Sequence, residues 1–253
     1  MKNIFFLSCF FATFSLLGQE NISKTEESEQ RTYLIAPYLL FPNMEGANKI
    51  RMLPPVEVDA RPSDIFGQLK FGGMLYFETS KNKWIISTDF IYMHLAMGLE
   101  EGLVVDNGEI DLKELLFEVS FLRSLTDWID IGVGGRVVSI KEGMTINTKI
   151  PNSIPLTGSI TETWFDPVIL LRSKGYFNEH WFYQARGDFG GFGLGSDFTW
   201  QIQLELGYQF TDKFGLSLGY RNLDIDYNNG QGSDYFSYDM NTFGPQLKGV
   251  FSF

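Results

Sequence analysis

The sequence predicts an all-β chain folded as a single antiparallel transmembrane β-barrel of about ten strands, with twelve as the alternative. Three observations predict it. Residues 197–211 alternate apolar and polar side chains without a break. The connections between segments of this kind alternate short and long, and Trp84, Trp128, Trp181 and Phe214 each follow a short one directly. An apolar leader opens the chain, and Phe253 ends it.

Composition sets the bounds. The chain has 253 residues, which suits one domain of the β type. Charged residues make up 20% and mean hydropathy is near zero, so hydropathy alone reads as a water-soluble protein. The 24 Phe, 11 Tyr, 5 Trp and 26 Gly point elsewhere: many aromatics and glycines at low hydropathy suit a sheet whose two faces meet different solvents. A net charge of −11 argues against a nucleic-acid partner, because nothing neutralises phosphates.

At the N-terminus, Lys2 precedes the apolar core Ile4 to Leu17, and Gly18 offers a small residue for cleavage before Gln19-Glu20. Residues 1–18 therefore read as a signal peptide, too short to span a bilayer. Cys9 lies inside it, so the mature chain has neither disulfides nor thiolate metal ligands. Residues 19–31 are polar and acidic and read as a flexible periplasmic lead-in. The barrel is expected over 32–253.

Its first strand is expected at 33–41, with blurred alternation. Residues 42–67 read as an excursion, because Pro54, Pro55 and Pro62 break sheet ladders and a full strand here would spoil an even strand count. Within it, Ser63-Asp64-Ile65-Phe66 suits a short helical turn folded into the mouth. Residues 68–79 turn Leu69, Phe71, Leu75 and Phe77 to one face, with Lys70 and Glu78 on the other. Residues 84–98 form a longer apolar run. In 111–125, Leu115, Phe117, Val119 and Phe121 oppose Glu114, Glu118 and Ser120. In 128–141, Ile129, Ile131, Val133 and Val137 oppose Asp130, Gly132, Gly134 and Arg136. In 161–176, Phe165, Ile169 and Leu171 oppose Glu162, Asp166, Arg172 and Lys174. In 180–190, Trp181, Tyr183 and Phe189 oppose Gln184, Arg186 and Asp188.

The clearest segment, 197–211, sets Phe198, Trp200, Ile202, Leu204, Leu206, Tyr208 and Phe210 against residues such as Gln201, Gln203 and Glu205. A soluble sandwich strand gives the same pattern, but averages only about five or six residues. A tilted membrane strand needs roughly nine to eleven. Residues 214–228 and 235–253 complete the ten. Short turns at 80–83, 126–127, 178–179 and 211–213 are expected on the periplasmic side, with longer external loops at 99–110, 142–160, 191–196 and 229–234. The four aromatics after the short turns form an interfacial girdle.

Three motifs carry a resemblance: Trp164-Phe165-Asp166-Pro167; the run Gly187-Asp188-Phe189-Gly190-Gly191-Phe192-Gly193-Leu194-Gly195-Ser196-Asp197 with Trp200; and Gly219-Tyr220-Arg221 with Asp224, Asp226 and Tyr227. Together with the ending Phe251-Ser252-Phe253 they resemble a family of uncharacterised bacterial outer-membrane β-barrel proteins, well over 160–253 and elsewhere only in layout. The resemblance implies the fold and an outer-membrane location in a Gram-negative bacterium. It implies no activity and no catalytic residues. Phe251 and Phe253 resemble the signal read by the barrel-assembly machinery, the partner implied beside outer-membrane lipid.

The chemistry is sparse. The run Gly187 to Gly195 lacks the following helix that a phosphate loop needs, so its glycines read as a tight external hairpin. The two histidines, His94 and His180, give no metal spacing, and no cofactor is expected. His94 is the one candidate base, without an adjacent serine and carboxylate, so no enzyme activity is expected. The lumen is more informative. Its inward charges include Glu114, Glu118, Asp130, Asp166, Asp188 and Glu205, with Arg136, Arg172, Arg186 and Arg221. Charges confined in a narrow tube are costly unless paired, so a charge network across the bore is expected. Three readings of function follow. One is a structural or interaction barrel with a narrow, charge-paired lumen. The alternatives are a porin-like channel for ions or small solutes, and a lipid- or peptide-modifying enzyme. The sequence leaves ligand and oligomeric state open.

Overall fold

The computed structural model describes residues 31–50, 55–99, 105–149 and 154–253. The expected signal peptide, with Cys9, and the lead-in apart from Arg31 lie outside the described residues. Strands form β1 (Thr32–Leu40), β2 (Asn43–Ile50), β3 (Val56–Ala60), β4 (Leu69–Lys81), β5 (Trp84–Leu99), β6 (Val105–Ser124), β7 (Ile129–Thr148), β8 (Leu156–Tyr176), β9 (Trp181–Gly190), β10 (Phe198–Thr211), β11 (Phe214–Asn229) and β12 (Phe236–Ser252). One short helix, α1, spans Pro62–Gln68.

Ten strands close a ring. β1 pairs with β4, β4 to β12 pair in sequence, and β12 returns to β1, always antiparallel. Tyr33 and Phe253 seal the seam by exchanging backbone hydrogen bonds of 3.0 and 2.9 Å. The described start of the chain at Thr32, the C-terminal Phe253 and the short turns share one rim.

Residues 42–67 do supply a strand pair, but it stands outside the closed ring. β2 prolongs the line of β1 along β12: Leu40 faces Gln246 and Asn43 faces Phe243, so Pro42 interrupts the strand without shifting its register. β3 pairs only with β2. Residues 61–68 interrupt the line between β3 and β4 and hold α1. Pro62 fits the first turn, where its missing N–H costs nothing, and the Arg61 N–H donates to Asp64 Oδ2 at 3.0 Å. Ile65, 3% exposed, points into the barrel mouth.

Two expected loops are largely strand. β6 begins at Val105, β7 runs to Thr148 and β8 starts at Leu156, whereas loops were expected at 99–110 and 142–160. The cause is an inversion of the two faces along single strands. On β11, Leu216, Leu218 and Tyr220 point outward and are exposed, with Ser217 and Arg221 buried inside. Two residues on, the signs swap: Asn222, Asp224 and Asp226 point out, while Leu223, Ile225 and Tyr227 are buried inside. β7 does the same between Val137 outside and Val138 and Ile140 inside. β12 turns in Lys248 and Gln246 below, then Met240, Tyr238 and Phe236 above. The lower barrel is thus apolar outside, as in a bilayer, and inside it sets charged groups beside small apolar clusters of Ala36, Tyr76 and Val250 and of Ile85, Leu122 and Leu170; the upper barrel is apolar inside, as in water.

That upper interior is a packed core of Met44, Met93, Leu116, Ile140, Trp164, Phe236 and neighbours, with Ile65 of α1 set into it. At the opposite rim the aromatic girdle runs through ring contacts from Trp181 to Tyr208, Phe210, Phe214 and Phe251, with centroids 5.0–5.7 Å apart. One facing differs from expectation. A bulge between Leu69 and Phe71 turns Leu69 inward against the upper core and leaves Lys70 exposed, not in the lumen.

The inversion sets an expected outcome. Leu204→Arg, in the outer apolar belt, should cost roughly 2–4 kcal/mol of folding free energy in bilayers. Ser159→Arg, outward but above the belt, should stay within about 0.5 kcal/mol. Denaturant titration of the two variants in vesicles distinguishes them, and equal costs would contradict the inversion.

Candidate functional site

The lumen below the apolar core holds the charged side chains. Four strands bring a first group together. Arg136 on β7 donates to Glu118 on β6 from Nε at 3.0 Å and from Nη2 at 2.8 Å. The same Nη2 reaches Asp188 on β9 at 2.6 Å, and Nη1 donates to the Thr199 hydroxyl on β10 at 3.1 Å. Arg186 pairs with the other oxygen of Glu118 and lies 3.3 Å from Asp188. Ser120 and Gln201 fill further acceptor positions at 2.8 and 2.9 Å. Two carboxylates are thus shared by two guanidiniums, all nearly excluded from solvent. The planar fork of arginine, which stays charged when desolvated, suits this sharing.

A second group lies toward the rim that carries the short turns. Arg172 donates from Nε to Asp130 at 2.9 Å, pairs with Glu78, and reaches the Tyr76 hydroxyl at 3.2 Å. Tyr76 in turn donates to Glu78 at 2.6 Å, and Lys174 stands 3.5 Å from Asp130. On the strands either side of β4, Asp89 and Tyr38 receive Arg221 of β11, which donates to Asp89 at 2.8 Å and to the Tyr38 hydroxyl at 3.1 Å, while Tyr38 donates to Asp89 at 2.6 Å. Glu205 accepts from Lys248 at 2.6 Å, Gln246 at 3.0 Å and Ser217 at 3.1 Å. Lys248 also lies over the Tyr38 and Tyr76 rings, which links the neighbouring strands β12, β1 and β4.

The expected residues therefore do not all act alike. Arg136, Arg172, Arg186, Arg221, Glu118, Asp130, Asp188 and Glu205 sit in these groups. Asp166 does not pair with an arginine. Its cross-strand neighbour Arg136 turns away to Glu118 and Asp188. Asp166 accepts instead from the Ser196 N–H at 2.6 Å, the Ser196 hydroxyl at 2.9 Å and Trp164 Nε1 at 3.1 Å. A buried backbone N–H in the tight 191–197 turn needs an acceptor, and this carboxylate supplies it. Gly191 and Gly193 adopt φ of 85° and 71°, the left-handed region that the turn requires. Glu114 is half-buried and makes no ion pair among the described residues. Phe251 and Phe253 lie exposed at the seam.

The hydroxyls and rings escaped sequence reading. Tyr38 and Tyr76 count as apolar in an alternation, yet each presents its hydroxyl to an ion pair. Trp164 stacks on Tyr227 with centroids 4.0 Å apart, bridging β8 and β11 above the short β9–β10 hairpin. His94 has a partner too: its Nε2 lies 2.7 Å from Asp111 Oδ1. That pair sits on the outer wall, opposite in facing to the buried Met93 and Leu95. Toward the rim with the short turns the lumen widens into a cavity of about 310 Å³, lined by Tyr76, Glu78, Lys174, Gln184, Glu205 and Lys248 among others.

No family model matches the sequence, and no curated protein matches it. Solved structures do resemble the fold. The outer membrane protease OmpT from Escherichia coli superposes with a TM-score of 0.55 at 8% identity, over 91% of this chain and 99% of that one. Ail, the attachment invasion locus protein of Yersinia pestis, gives 0.38 at 11% identity, over 88% of this chain and 98% of that one. The toluene transporter TodX of P. putida gives 0.36 at 8% identity, over 88% and 90%. The OmpT likeness, at this identity, is one of fold. A closed barrel with an external apolar belt satisfies every backbone group inside a bilayer, and the chain is an outer-membrane β-barrel.

Glu118→Ala should leave Arg136 and Arg186 short of a carboxylate and cost about 3–5 kcal/mol. Lys174→Ala, at a longer and partly exposed contact, should cost less than about 1 kcal/mol. Urea unfolding in detergent micelles measures both; similar small losses would show that water screens the whole network.

Proposed function

We propose that this outer-membrane barrel is a structural or interaction protein whose lumen is held shut by its own side chains. One observation carries the reading: the bore is occupied twice over, by the ion-pair groups below and by the apolar core with Ile65 above. Water and ions crossing it would have to part both. Each arginine makes contacts on more than one strand, so the network acts as cross-bracing of the cylinder. A protein built this way presents its outer rim, its β2–β3 hairpin and its lipid-facing wall to the surroundings.

The channel reading draws support from the periplasmic cavity, which already takes the lumen part of the way inward. The enzyme reading draws support from the His94–Asp111 pair, but that pair faces outward from a strand wall and not into a cleft. The barrel is accordingly proposed to be non-enzymatic, and an unchanged lipid or peptide substrate profile in His94→Ala fits that.

Planar-bilayer recording of the purified full chain tests the reading. The wild type should show little steady conductance. Arg172→Ala opens the lower group beside the cavity and should leave conductance low, because the upper core still seals the bore. Combining it with Phe236→Ala should raise conductance. A large, steady wild-type conductance would replace the proposal with the channel.

A further inference from the structure

The outer wall just above the apolar belt is not uniform. On β4 to β7 it carries a basic row. His94 faces Lys113 across β5 and β6, and Lys113 faces Lys141 across β6 and β7. Lys70, the unpaired residue of the bulge in β4, is exposed and directly precedes Phe71, which faces His94. These residues follow directly on the last outward apolar side chains: Phe71 before Lys70, Tyr92 before His94, Leu115 before Lys113, and Val137 with Ser139 before Lys141. Neighbouring strands lie about 4.8 Å apart, so the ammonium groups form a comb rather than isolated charges. Lys70 and Lys141 are exposed and Lys113 is half-buried, and none of the three makes an ion pair among the described residues. Asp111, on the same face of β6, bonds His94 at 2.7 Å and also attracts Lys113, so one carboxylate serves two members of a row of four cations.

Composition does not produce this row, since the chain carries a net charge of −11. Across the barrel, β10 to β12 and β2 turn out Asp224, Asp226, Asp239 and Glu45 instead, with Asp226 directly opposite Asp239. Like charges aligned on adjacent strands repel, so a row of lysines kept in register calls for an anionic neighbour. Its position fixes where that neighbour lies. The rim opposite the chain ends and short turns is the external one, so the row stands at headgroup depth in the outer leaflet.

We propose that Lys70, Lys113 and Lys141 bind the phosphate groups of an outer-leaflet phosphorylated glycolipid, with the acyl chains lying on the belt below, along Phe71, Phe90 and Phe117. A lipid with two phosphates on one rigid sugar headgroup can bridge adjacent lysines, which a single mobile phosphodiester cannot. The lysine ammonium suits this as a point charge with three donors.

The test uses the full chain, purified and refolded in detergent, with bound lipid counted by native mass spectrometry and by titration. The probes are lipid A with both phosphates, lipid A with its phosphates removed, and phosphatidylglycerol. The intact form should bind best, and each of Lys70→Gln, Lys113→Gln and Lys141→Gln should weaken it about fivefold. The Lys→Arg versions should retain binding, and Lys81→Gln with Lys83→Gln, at a periplasmic turn, should leave it unchanged. Heat-modifiable gel migration shows that each variant is folded; a Gln variant that fails to fold is replaced by Lys→Ala at the same position, with the same weakening expected. Equal binding by the triple Gln variant, or equal binding of the dephosphorylated lipid, would overturn the proposal. Equal binding of phosphatidylglycerol would overturn the glycolipid assignment.

Discussion

A closed barrel fixes which way each side chain points for the whole length of its strand. The ring of backbone hydrogen bonds has no edge, so a strand cannot rotate to suit its surroundings. When the barrel is taller than the bilayer, the solvent outside changes from lipid to water partway along. The facing stays and the residue types must change. The rest of the structure follows from that constraint. β11 meets it in two residues, from Tyr220 outside and Arg221 inside to Asn222 outside and Leu223 inside. β7, β8 and β12 meet it in the same way.

The constraint also explains the contents of the bore. In the belt, the outward side is taken by Leu, Ile and Phe, so the inward side receives most of the polar residues, with a few apolar ones such as Ile85, Leu122 and Leu170 among them. Arginines and carboxylates then face each other across a space too narrow for water to solvate them well, and they pair. Above the belt the inward side receives the apolar half, which packs as a conventional core. α1 completes it, because an insertion between β3 and β4 places Ile65 over the mouth. Asp166 lies close to this boundary. It serves the upper structure by holding the 191–197 turn through Ser196, rather than the ion-pair groups below.

Much of this is legible in the sequence. Ten strands, the sides of the short turns and the inward arginines all follow from a period of two and an even count. The inversion is written there as well, in Leu216 to Tyr227, but a reading that looks for one apolar face per strand does not register the change of sign. The added strand at 105–110, 142–148 and 156–160 lies above the inversion, where no outward apolar face marks it. Register is less legible. One bulged residue, Lys70, turns Leu69 inward, and no local signal marks it. Pairing partners are least legible, since parity places Asp166 and Arg136 side by side without saying that Arg136 reaches instead to Asp188.

The most direct measurement is cysteine scanning of β11 in a Cys9→Ala background, with the protein in vesicles. Leu218→Cys, Leu223→Cys and Asp224→Cys are each exposed to a lipid-soluble and to a membrane-impermeant thiol reagent. An inversion at Arg221 predicts that Leu218→Cys reacts only with the lipid-soluble reagent, Asp224→Cys with the impermeant one, and Leu223→Cys with neither. Reaction of Leu223→Cys with the impermeant reagent, together with a silent Asp224→Cys, would mean a water-filled upper bore and would contradict the account.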